Sequence, residues 1–240
     1  MTEPLATNEA APPATQEHHI RTTRHGRFFT LGPADERARE VWFVLHGYGN
    51  LAQRFLRYFS PLDDGTRLIV APEALNRFYL VPPEGASAKD RLVGASWMTK
   101  EDRQNEIDDY VRYLDAVADA VSARARRTVG VMTVVVGFSQ GTATAARWVT
   151  TGRIRPRHLI LWGGMLPPEL ELHRADHPLR QLSLRFVIGS DDGFATPALI
   201  GEQESRLRDA RLPYELERFD GGHAIDAKPL RSIAASISAR

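Results

Sequence analysis

The sequence predicts an α/β protein with a mostly parallel central sheet and helices on both faces, and three observations carry that prediction. Short apolar runs alternate with segments of helical periodicity from Glu40 to Arg240. Most of those runs are almost continuously apolar, as strands covered on both faces must be. The chain has 240 residues, 42% of them hydrophobic, enough for one substantial core and little more.

Taken in order, residues 1–18 mix Pro, Ala, Thr, Glu and Asn without an apolar period, and we expect a disordered tail there, ahead of a single domain over 19–240. Polar and apolar residues alternate from Ile20 to Leu31, with a break at His25-Gly26, which reads as an antiparallel hairpin. Glu40 to Leu45 (EVWFVL) is the first buried strand. Further strands are expected at Arg67–Ala71, Met132–Phe138, His158–Trp162, Leu182–Ile188 and Tyr214–Phe219. A helix is expected from Asp102 to about Arg124, because Ile107, Val111, Leu114, Ala118 and Val121 recur at three- and four-residue steps and form one stripe. Thr99 followed by Asp102 offers a capping-box start, and Arg124, Arg126 and Arg127 suit the negative end of the helix dipole. No internal repeat is present, and no insertion is long enough for a separate cap domain.

Composition narrows the chemistry. Thirty-one basic residues against thirty acidic ones leave a formal charge of +1, so no global field favours nucleic acid or an anionic surface. The absence of cysteine excludes disulfides, thiolate metal sites and cysteine nucleophiles. The longest apolar stretches, such as Val131 to Phe138, are too short to span a bilayer, and the N-terminus lacks the basic-then-apolar order of a signal peptide. A cytoplasmic protein with no integral membrane segment is the expectation.

The most informative segment is Val134-Val135-Val136-Gly137-Phe138-Ser139-Gln140-Gly141, a β-branched strand running into G-x-S-x-G and then into the helix-prone Thr142–Trp148. A turn this tight leaves no room for side chains at Gly137 or Gly141, and it holds the serine strained with its hydroxyl exposed at the start of a helix. A serine hydroxyl needs a base, and the base needs an acid to fix its tautomer. On sheets that carry this elbow, the acid and then the histidine follow the serine in the chain. His223 comes after Gly221-Gly222, in a loop between the last strand and the last helix, where a base should hang. The strand Leu182–Ile188 ends in Gly189-Ser190-Asp191-Asp192-Gly193, with two carboxylates at a strand's carboxyl end. Asp192 is preferred, because the spacing from Gly189 lets the loop turn back, and Asp191 stays open as the alternative. For the oxyanion, the N–H of Gln140 directly follows the nucleophile, and Leu45-His46-Gly47-Tyr48-Gly49-Asn50 supplies a second donor, expected at Tyr48. His46 reads as a structural residue of that loop.

In this order and spacing, LHGYGN, APEA, GASWM, GFSQG, GSDDG and GGHAI resemble the phospholipase/carboxylesterase family, over roughly residues 40 to 235. The resemblance implies an α/β-hydrolase fold without a cap domain, a triad of Ser139, Asp192 and His223, and oxyanion donors at Tyr48 and Gln140. It also implies short- to medium-chain acyl esters as substrates, with thioesters and lysophospholipids as relatives of that class, no cofactor, and often a homodimer. Trp97 and Met98 fall where the family lines its acyl groove; with Phe194 they complete the expected substrate contacts, although a core role for Trp97 stays equally open. The acid loop departs from the family in reading Asp192-Gly193-Phe194-Ala195-Thr196-Pro197.

Weaker signals are set aside. His173 and His177 share a spacing that could serve a metal, but Pro178 and the missing third ligand argue against one. The arginine clusters at 124–127 and 153–157 read as solvated surface rather than a nucleic-acid site. The triad could equally serve acyl transfer to an alcohol or thiol, and a binding module that kept the fold without the chemistry is the alternative from another class.

Overall fold

A computed structural model describes residues 15–81, 91–124 and 131–239. Seven strands form the main sheet in the order β1-β3-β2-β6-β7-β8-β9. They are β1 (Phe28–Leu31), β2 (Glu40–Leu45), β3 (Arg67–Pro72), β6 (Met132–Phe138), β7 (His158–Trp162), β8 (Ser183–Gly189) and β9 (Glu215–Phe219). Strands β2 through β9 of this sheet pair in parallel, while β1 joins the edge antiparallel to β3. A separate two-stranded hairpin is made by β4 (Asn76–Tyr79) and β5 (Val93–Ser96). The helices are α1 (Ala52–Leu56), α2 (Arg103–Arg124), α3 (Gln140–Thr151), α4 (Pro197–Asp209) and α5 (Ala227–Ser238).

Strand periodicity separates the core into two layers. Along β2, Val41, Phe43 and Leu45 point into a cluster with Tyr110 and Leu114 of α2, Trp148 of α3 and Leu207 of α4. Trp42 and Val44 point the other way, toward Phe55 and Leu56 of α1 and Leu230, Ile233 and Ile237 of α5. All six residues of β2 are buried, which is why the strand carries no polar alternation. The polar ones are paired: Trp42 Nε1 donates to Glu40 Oε2 at 2.7 Å, and Arg67 Nε donates to the same oxygen at 2.9 Å.

Two local expectations need correction. Residues 15–27 form no strand, so the predicted hairpin over Ile20–Leu31 is absent; β1 finds its partner in β3 instead, with Phe28 opposite Pro72. Thr99 does not cap α2. Its Oγ1 accepts the Glu101 N–H, while Asp102, at φ 45°, offers its carbonyl to the Glu106 N–H and Glu106 reaches back to the Thr99 N–H. The β4–β5 hairpin was not foreseen. The tail expectation falls largely on residues 1–14, and the helix-end arginines Arg126 and Arg127 fall in 125–130, both outside the described residues.

Candidate active site

The sheet's carboxyl edge gathers five loops, and the elbow between β6 and α3 stands at their centre. Ser139 adopts φ 54° and ψ −119°, a conformation that L-residues seldom accept. Its backbone is fixed on both sides: Ser139 N–H donates to Trp162 O at 2.9 Å, and Thr142 donates through N–H and Oγ1 to Ser139 O at 2.9 and 2.7 Å. The two glycines are steric necessities. A Cβ at Gly137 would lie 2.3 Å from Gly141 O, and one at Gly141 would lie 2.3 Å from Leu45 O.

His223 and Asp192 meet across two loops. His223 Nδ1 lies 2.8 Å from Asp192 Oδ2, and Asp192 Oδ1 accepts the N–H groups of Phe194 at 2.9 Å and Ala195 at 3.3 Å. With both carboxylate oxygens engaged and the side chain buried, the acid has one orientation. A proton on Nδ1 leaves the Nε2 lone pair for a reacting hydroxyl. Asp191 is exposed; its N–H donates to Gly221 O at 2.9 Å, which makes it a link between the acid loop and the histidine loop. Phe138 brings its ring 4.9 Å from the imidazole, and a Cβ at Gly163 would sit 3.0 Å from it, so the residue before Ser139 and the turn after β7 both touch His223. Among the described residues, Ser139 Oγ makes no hydrogen bond to His223.

The loop after β2 lies against the elbow: a Cβ on Gly47 would be 3.1 Å from Ser139 Cβ. Within the described residues neither the Tyr48 N–H nor the Gln140 N–H bonds to a backbone acceptor, so both are available at this edge. The Gln140 side chain does more than the sequence suggested. Its Nε2 donates to Ser96 Oγ at 3.0 Å and Met98 O at 2.9 Å, and its Oε1 accepts the Trp97 N–H at 3.1 Å. The same β5 segment holds the other loop, since Gly49 N–H donates to Ala95 O at 2.9 Å and Ala95 N–H to Asn50 O at 3.2 Å. One strand therefore spaces the two segments that carry the free N–H groups.

Trp97, for which groove and core roles stood equally open, lies in the core. It is buried, packs its ring 5.1 Å from His46, and donates Nε1 to His46 O at 2.8 Å. Met98 is partly buried against the core and meets Arg147 through its sulfur at 3.4 Å. Phe194 is exposed with its ring 4.7 Å from His223. His46 is fully buried; Nε2 accepts the Ala74 N–H at 3.0 Å and Nδ1 stands 2.8 Å from Gly47 O. Burial pushes its pKa down to about 4 against the opposing pull of the Gly47 carbonyl and Glu73, so the ring is neutral and occupied, a strut rather than a base. Glu73, unremarked in the sequence, is buried at the start of the β3–β4 connection and accepts Arg27 Nε and Arg77 Nε at 2.7 Å each. Burial alone would raise its carboxyl; the two guanidiniums outweigh that and hold it below the ordinary range. His177 caps the short 3-10 turn at Pro178–Gln181 by accepting the Leu179 N–H, and His173 is exposed.

A strained elbow serine and a buried acid paired with a partly exposed imidazole at the carboxyl end of a parallel sheet define the class of serine hydrolases on the α/β-hydrolase fold. The chain belongs to the serine hydrolase (FSH1) family, whose model matches residues 44–230. Solved structures share the fold at low identity. Acyl-protein thioesterase 2 of Zea mays superposes with a TM-score of 0.66 at 15% identity, covering 90% of this chain and 99% of that one. A carboxylesterase from Mesorhizobium loti gives 0.65 at 17%, covering 88% and 94%, and esterase PE8 gives 0.63 at 19%, covering 89% and 98%. These accord with the resemblance to phospholipase/carboxylesterase proteins. No curated protein matches the sequence. No helix among the described residues is long and apolar enough to cross a membrane.

Proposed function

We propose that the protein is a carboxylesterase that cleaves short- to medium-chain acyl esters through an acyl-enzyme on Ser139. Ser139 Oγ attacks the ester carbonyl carbon while its proton passes to His223 Nε2. Asp192 holds Nδ1–H and stabilises the imidazolium, and the Tyr48 and Gln140 N–H groups receive the carbonyl oxygen as it becomes an oxyanion. The imidazolium returns the proton to the departing alcohol, and water, deprotonated by the same imidazole, releases the acid. The observation that carries this reading is the positive φ of Ser139 beside a free helix-start N–H and a His223–Asp192 pair on the same edge. Hydrogen bonds between nucleophile and base commonly tighten only when substrate is bound, so the open Ser139–His223 geometry suits a resting site.

Phe194 and Met98 are the remaining substrate contacts in this reading, with thioesters as chemically equivalent acyl donors. The test is labelling with a fluorophosphonate probe beside Ser139→Ala, then p-nitrophenyl ester hydrolysis across chain lengths. Labelling should vanish in Ser139→Ala and turnover fall by at least about a hundred-fold. A Ser139→Ala protein with wild-type esterase rate would overturn the mechanism. Acyl transfer is distinguished by adding an alcohol acceptor and measuring the share of product that is ester.

A further inference from the structure

His223 is flanked by two phenyl rings supplied by different loops. Phe138 stands 4.9 Å away at an interplanar angle of 34°, and Phe194 stands 4.7 Å away at 51°. Core packing accounts for the first: Phe138 is buried and stacks on Phe55 at 5.9 Å. It does not account for the second. Phe194 is 74% exposed, so its ring gains little from burial, yet it stands against the histidine. Its main chain is committed as well, since the Phe194 N–H donates to Asp192 Oδ1 at 2.9 Å. One residue thus holds the acid with its backbone and lies against the base with its side chain.

A phenyl ring treats the two forms of an imidazole differently. Toward the neutral form it offers dispersion; toward the imidazolium it adds the attraction of its quadrupole for positive charge. On the pH plateau of the reaction the imidazolium exists only while the reaction is under way. As the Ser139 Oγ–carbon bond forms, the proton moves from Oγ to Nε2 and the carbonyl electron pair moves onto oxygen, leaving positive charge on the ring between the phenyls. A contact that strengthens at that moment lowers the barrier rather than merely tightening binding. The geometry points to Phe194, with Phe138 as its partner, as an electrostatic positioning residue that stabilises the His223 imidazolium during proton transfer. This rests on His223 being the base.

The charged group facing His223 is Asp192, from the loop after β8. The elbow presents Phe138, and the turn after β7 presents Gly163. Asp191, on the acid loop, and Asp220 and Asp226, on the loop that carries His223, are exposed, and Asp226 is occupied in capping α5 through the Lys228 N–H. Asp192 stands 2.8 Å from Nδ1, a contact that changing the Phe194 side chain leaves in place.

The experiment is the pH dependence of kcat/KM for a p-nitrophenyl ester, in wild type, Phe194→Leu and Phe194→Trp, with His223→Asn alongside. Leucine keeps the apolar bulk and removes the π face. Its acid limb should move to lower pH by about half a unit, and its plateau should fall roughly threefold, the size of a cation–π contact at an exposed site. On the acid side the two profiles should converge, because there the resting enzyme already carries the imidazolium. Tryptophan should move the limb upward. A leucine variant displaced downward by one factor at every pH, with the limb unmoved, overturns the inference and leaves Phe194 as a loop or substrate contact. An active His223→Asn protein would instead overturn the base assignment. Thermal unfolding should stay within a few degrees of wild type in both Phe194 variants, since the side chain is largely in solvent.

Discussion

Ser139 holds a backbone conformation that works against folding. At φ 54° its Cβ crowds the neighbouring backbone, a strain of order 1–3 kcal/mol for a non-glycine residue. The elbow keeps it because α3, the Trp162 carbonyl and the glycines on either side leave the chain no other path. Glycine adopts such angles freely, so removing the hydroxyl by two routes separates strain from chemistry. Ser139→Ala and Ser139→Gly should both abolish turnover, yet Ser139→Gly should be the more stable of the two by about 1 kcal/mol, part of the relief being offset by the greater freedom of glycine in the unfolded chain. Urea unfolding of the pair measures this. If the alanine variant is the more stable, the elbow is not strained in solution, and the serine must be held by some other means.

Among elements, β5 does the work that its four residues conceal. Its backbone binds the loop bearing the Tyr48 N–H, and the segment 96–98 takes up the Gln140 side-chain amide. The separation between two N–H groups is therefore set by a strand that carries neither. Gln140→Met retains the backbone N–H and the side-chain length while losing all three polar contacts, so the donor remains but its spacing relaxes. We expect kcat for ester hydrolysis to fall roughly tenfold with KM little changed, because a misplaced donor is felt chiefly in the transition state. Affinity for a trifluoromethyl ketone, which forms the oxyanion, should fall in parallel; an unchanged affinity would break the link between β5 and the oxyanion site proposed at the Tyr48 and Gln140 N–H groups. This element also marks where sequence stops being legible. The buried strands β2, β6 and β7 were readable because each is a continuous apolar run whose neighbours do not need to be known. β5 reads Val-Gly-Ala-Ser, poor in strand-forming residues, and exists through its pairing with β4. The Ile20–Leu31 alternation failed for the same reason in reverse: a period of two reveals a strand but not its partner, and Phe28 pairs with Pro72 rather than within the segment. In the site, the elbow was legible because its constraint is local, whereas the Gln140 clamp, the burial of Trp97 and the rings around His223 arise where separate loops converge.

At the scale of the whole molecule, the catalytic edge is built on a core that tolerates base better than acid. His46 lies wholly inside, accepting the Ala74 N–H, and its ring meets Trp97 at 5.1 Å and Phe55 at 6.4 Å, which joins the two layers beneath the site. Its pKa falls from 6.5 to about 4, chiefly through burial. The native state therefore holds the ring neutral at a pH where the unfolded chain would protonate it. The sign follows: between those two values the unfolded state binds more protons, so the stabilisation is complete above 6.5 and is lost as pH falls toward about 4. At 1.36 kcal/mol per unit this amounts to about 3 kcal/mol. His177, lowered by burial and by Arg180 and Arg174, adds in the same direction. Glu73, held low by Arg27 and Arg77 against its burial, stabilises the fold above its ordinary value of 4.5 and loses that contribution as pH falls below it, so its loss begins at the acid end of the histidine window. His46→Gln keeps an acceptor for the Ala74 N–H and cannot titrate. It should unfold more easily at pH 8 through imperfect packing, yet lose about 3 kcal/mol less than wild type between pH 7 and pH 4 by urea unfolding. Parallel pH profiles for the two proteins would mean that His46 takes up its proton in the folded state, and the loop carrying the Tyr48 N–H would then have to open to water well above pH 4.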